Sequence, residues 1–84
     1  MEIIKFYFEN GKLIYAVKGA SNHLDALNYV CYYKKANKAD FLASHDVCLG
    51  TIYGDNLYVG DFDNKHKSNC VIVYRNTIDV KKYA

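Results

Sequence analysis

Two short spacings in this chain bring together residue types that can hold a metal ion. His45-x-x-Cys48 and His66-x-x-x-Cys70 supply four nitrogen or sulfur donors as two close pairs, with seventeen residues between the pairs. Zinc takes four such donors in a tetrahedron, and close pairs at turn ends provide them at low entropic cost. A structural zinc would also stabilise a small domain. Against this, each pair mixes His with Cys, and Cys48 and Cys70 both border apolar residues, where a free thiol behaves as a small hydrophobe. Core thiols and surface imidazoles are therefore favoured over a metal centre, and neither a metal nor another cofactor is expected.

The other groups with reactive side chains give weaker signals. Asp61-Phe62-Asp63-Asn64 opens like a calcium loop, but Lys65 and His66 stand where an oxygen ligand and a glycine are needed, and no Glu closes it. Turn chemistry explains it better. A Cys-His pair such as Cys31 with His45 lies in no nucleophile turn, and His23 reads as a surface residue of a first helical turn. The chain carries no phosphate-cradling glycine loop and no H-E-x-x-H helix. No catalytic residue is assigned, and an enzyme ranks low.

Aromatic residues offer two binding chemistries. Tyr32-Tyr33-Lys34-Lys35, with Lys38 beyond, interleaves rings and cations, and Lys65, Lys67, Lys81 and Lys82 extend the positive charge. Single-stranded nucleic acid is held by stacking on rings beside a basic groove. A solvated helix end with dipole-favoured lysines accounts for the same pattern. The second chemistry is protein recognition, with Tyr53, Tyr58, Phe62 and Tyr74 as contact anchors and Asp55, Asp61, Asp63 and Arg75 as orienting charges.

These residues must be positioned by an α+β architecture. Ile3 to Glu9 alternates as a half-buried strand, Asn10-Gly11 is a strong hairpin signal, and Leu13 to Lys18 returns as its partner. Ser21 or Asn22 caps a helix with Asp25 in its first turn. Leu24, Leu27, Val30 and Cys31 form its sheet-facing stripe, and it ends near Asn37. Phe41-Leu42-Ala43 suits a second short helix capped by Asn37 or Asp40. Leu49 to Tyr53 and Leu57 to Phe62 form a second hairpin around Gly54-Asp55-Asn56, Asp63 to Asn69 is a loop, and Cys70 to Arg75 is a central strand. Thr77 to Ala84 is either a short strand or a helical turn. The expected order is ββ-α-βββ: one domain over residues 1–84, an antiparallel sheet of about five strands with one main helix on one face.

The strands carry apolar or aromatic residues on both sides: Ile3 and Tyr7 opposite Ile4, Phe6 and Phe8; Ile72 and Tyr74 opposite Val71 and Val73; Tyr58 beside Leu57 and Val59. One helix covers one face, so the other is expected to present Tyr and Ile to water, the kind of patch that marks an interface, self-association included. The alternative is that Asn37 to Val47 folds across it.

The composition sets the outer bounds. With 84 residues, 51% apolar and 24% charged, the chain suits one small globular domain, whose core alone gives only a few kcal/mol. A net charge of +2 is too weak for a dedicated nucleic-acid binder. Three cysteines cannot all pair within one chain, and the start Met1-Glu2-Ile3-Ile4-Lys5 lacks a signal-peptide pattern, so reduced thiols and a cytoplasmic location are expected. No apolar run is long enough for a membrane helix. Ten Lys to one Arg, eight Asn, nine Tyr and no Pro or Trp point to AT-rich codons, or to a Tyr-rich binding face. The reading that ranks first is a small intracellular non-catalytic protein-binding module. Its size and AT-rich signature suit an accessory protein of a phage or mobile element that inhibits a host defence protein by steric binding. A nucleic-acid binder ranks second, and a small zinc-binding domain or enzyme third.

Overall fold

The computed structural model describes residues 1–8, 11–60 and 68–78. Its first hairpin pairs β1 (Glu2–Tyr7) with β2 (Leu13–Lys18), in a register running from Glu2 opposite Lys18 to Tyr7 opposite Leu13. The turn closes with Phe8 donating its N–H to the Lys12 carbonyl at 3.0 Å and Gly11 donating to the Phe8 carbonyl at 2.8 Å. Gly11 sits at φ 77°, a left-handed position that L side chains avoid.

Helix α1 (His23–Lys34) starts where expected, with the Asn22 carboxamide accepting the Asp25 N–H at 2.9 Å. It ends before Asn37, because Lys35 turns left-handed at φ 53°. There Lys35 donates its N–H to the Tyr32 carbonyl and Ala36 donates to the Cys31 carbonyl, each at 3.1 Å, satisfying carbonyls the helix would leave open. The buried stripe is Ala26, Val30 and Cys31, while Leu24 is exposed. Leu24, expected in the sheet-facing stripe, lies outside it, and the small Ala26 takes a fully buried place there. Helix α2 (Lys38–Ser44) follows at once, capped by Asn37, whose side chain accepts the Asp40 N–H at 3.1 Å.

Strand β3 (His45–Tyr53) begins three residues earlier than the alternation from Cys48 suggests, since His45, Asp46 and Val47 pair with Arg75, Tyr74 and Val73. Strand β4 (Asn56–Val59) returns beside β3, and β5 (Ser68–Arg75) is longer than expected. The sheet is fully antiparallel in the order β1-β2-β5-β3-β4, which puts the β-branched β5 at the centre. Thr77 and Ile78 follow β5 in a turn, with Ile78 donating to the Arg75 carbonyl at 2.8 Å. The rest of the final segment, and most of the expected Asp63–Asn69 loop, lie outside the described residues.

Both faces of the sheet are buried at its centre. On one, Tyr15, Val17, Val71 and Val73 pack against Ala26, Val30 and Cys31 of α1 and Phe41 of α2. Ile14, Ala16, Cys70, Ile72 and Tyr74 occupy the other, with Ile78, ringed by Phe6 of β1, Phe8 just after it, and Leu57 and Val59 of β4. This corrects the expectation of a second face open to water. The segment from Asn37 to Val47 does not cover it either, because Phe41 and Val47 belong to the helix side. The sheet curls instead: Phe6, Leu57 and Val59 from its two edge strands, and Phe8 just beyond β1, line a single cavity of about 240 Å³ together with Ile14. Twisted antiparallel sheets close in this way when apolar residues line the concave side.

Candidate binding surface

Alternation along β3 places Leu49, Thr51 and Tyr53 on one face, the same face as Val47 and α1. The register adds Tyr58, opposite Thr51, and Asn56, opposite Tyr53. Leu49, Tyr53 and Tyr58 are 44%, 48% and 46% exposed, although they share a face with the core. Helix α1 ends its cover before reaching them: a cleft of about 120 Å³ separates Gly19 and Ala20, at the chain's approach to α1, from Leu49 and Asn69.

The patch has a rigid floor. Thr51 is buried beneath it and donates its hydroxyl to the Gly60 carbonyl at 2.8 Å, with the Asn69 carboxamide oxygen at 3.4 Å. Gly60 in turn donates its N–H to the Leu49 carbonyl at 2.8 Å. These bonds tie the end of β4 to β3, so the two tyrosines stand on a fixed two-strand platform. Large rings with few torsions on a rigid base make contact area at low entropic cost.

Of the expected anchors, Tyr53 and Tyr58 come together here, and Asp55 is exposed in the turn between their strands. Tyr74 does not join them: it is 3% exposed in the concave core, so it is a packing residue and not a contact anchor. Arg75 lies opposite His45, at the other end of β5 from Asn69, and cannot orient a ligand on the tyrosine patch. Phe62, Asp61 and Asp63 lie outside the described residues. Leu49 was not singled out from the sequence, although its two-residue spacing from Thr51 and Tyr53 marks it as their neighbour.

The tyrosine-lysine segment forms a separate surface. Lys5 Nζ lies 5.6 Å from the centre of the Tyr33 ring and Lys34 Nζ lies 5.4 Å from that of Tyr15. The two rings meet edge to face, 6.3 Å apart. Tyr33 raises the pKa of Lys5, chiefly through their side-chain hydrogen bond. Tyr32 is 84% exposed and takes no part in this stack.

Among the described residues the metal-ligand pattern is not assembled. His45 and Cys48 are three apart on one strand, so they point to opposite faces: the imidazole stacks on Phe41 on the helix side, and Cys48 borders the concave core. Cys70 lies near Cys48 on that concave side, where burial above all pushes its thiol pKa up to about 11. His66 lies outside the described residues, and no group of three metal-binding side chains forms among the described ones. No helix among them is long and apolar enough to cross a membrane. Comparison with protein-family models, curated proteins and solved structures returns no match.

Proposed function

We propose that this protein is a non-catalytic protein-binding module whose contact face is the part of the sheet beyond α1. Tyr53 and Tyr58 are the anchors, Leu49 the apolar contact beside them, and Asp55 the charge at the rim. The observation that supports this is three large side chains, each nearly half exposed, on a platform held by the buried Thr51 hydroxyl. Aromatic residues on a fixed surface are the usual source of binding energy between proteins. Binding there acts by covering the partner's surface, with no chemical step. The small size and AT-rich composition fit a cytoplasmic accessory protein of a phage or mobile element that inhibits a host defence protein.

A photo-crosslinking residue at position 58, compared with one at position 38 on exposed α2, tests the reading in producing cells. The expected result is a discrete protein adduct from position 58 that disappears in Tyr53→Ala. An adduct with a second copy of the chain makes the face a homo-oligomer interface. No adduct, or one indifferent to Tyr53→Ala, overturns the assignment. Tyr53→Ala should change stability by less than about 0.5 kcal/mol, as is usual for surface positions.

Nucleic-acid binding through Tyr32, Tyr33, Lys34 and Lys35 is the second reading, favoured by the fully presented Tyr32 ring next to the lysines. It ranks below the first because Tyr15 and Tyr33 each already carry a lysine over the ring. Affinity for a single-stranded oligonucleotide that falls steeply with salt, and is lost on neutralising Lys34 and Lys35, would establish it.

A further inference from the structure

No further inference is drawn: the strongest candidate, the concave cavity of about 240 Å³ that the curled sheet forms among Phe6, Phe8, Ile14, Leu57 and Val59, is an apolar hollow and nothing in the structure shows what covers it.

Discussion

The rings of Phe41 and His45 stack with centroids 3.8 Å apart and planes only 11° from parallel, and the Phe41 carbonyl lies 3.1 Å from His45 Nδ1. One residue thus supplies both an apolar cover and a polar partner to the other, at the junction where α2 ends and β3 begins. That contact fixes the direction in which acid acts on this protein.

His45 titrates below its ordinary 6.5, with burial as the main cause. The unfolded chain therefore binds this proton more readily than the folded one. The contribution to stability is complete above the ordinary value of 6.5 and is lost as pH falls below it, down to the depressed folded value. Urea midpoints should drop between about pH 7.5 and about pH 5, and His45→Asn should show a shallower drop whatever its stability at neutral pH. Equal slopes in the two proteins would contradict this assignment.

Gly50 should be intolerant of any side chain. A Cβ at that position lies 2.5 Å from both Cγ1 and Cδ1 of Ile72 and 3.2 Å from the Cys70 sulfur. Ile72 is fully buried, so its side chain cannot swing out to solvent without leaving the core. Gly50→Ala should cost about 1–3 kcal/mol, the usual range for overpacking. Adding Ile72→Val, which removes Cδ1, one of the two atoms at closest approach, should recover part of that loss in a chemical denaturation series.

Lys35 offers a simple gain. It is the only described residue other than glycine at positive φ, and left-handed backbone costs an L residue about 1 kcal/mol. Lys35→Gly should raise stability by about 0.5–1 kcal/mol in thermal or urea unfolding, since glycine is the preferred residue at this end of a helix. A loss would mean that the lysine side chain contributes more there than the backbone strain removes.

With its pKa near 11, Cys70 has a thiolate population of about one in a thousand at pH 8, and the thiolate is the nucleophile. Ellman's reagent should leave Cys70 unmodified in the native protein while labelling it in urea, as read by mass spectrometry of the peptide containing it. Rapid native labelling would show that the concave core opens often.

Much of the architecture is legible in local pattern. The alternation of Ile4, Phe6 and Phe8 marks β1, the Asn22 cap marks the start of α1, and the run from Cys70 to Arg75 marks the central strand. The fate of the concave face is not legible, because it depends on Phe6 and Phe8 meeting Leu57 and Val59 across the whole sheet, and no local window contains both pairs. Tyr74 was misplaced for the same reason: alternation tells which residues share a face, not which face is covered. That Tyr53 and Tyr58 lie near one another is legible because a hairpin keeps its neighbours close in sequence.

The last of the described strands in chain order holds the middle of the sheet. Strand β5 lies between β2 and β3, so the amino-terminal hairpin and the β3–β4 hairpin share no ladder until residues 68–75 arrive. During translation, the two halves therefore wait as separate hairpins, each too small to be stable alone. The sheet then closes in a single late step that joins distant parts of the chain. Such closure is slow compared with local pairing. A chain stopped before Ser68 should remain unfolded whatever the quality of its hairpins, and folding on the ribosome should wait for β5 to clear the exit tunnel.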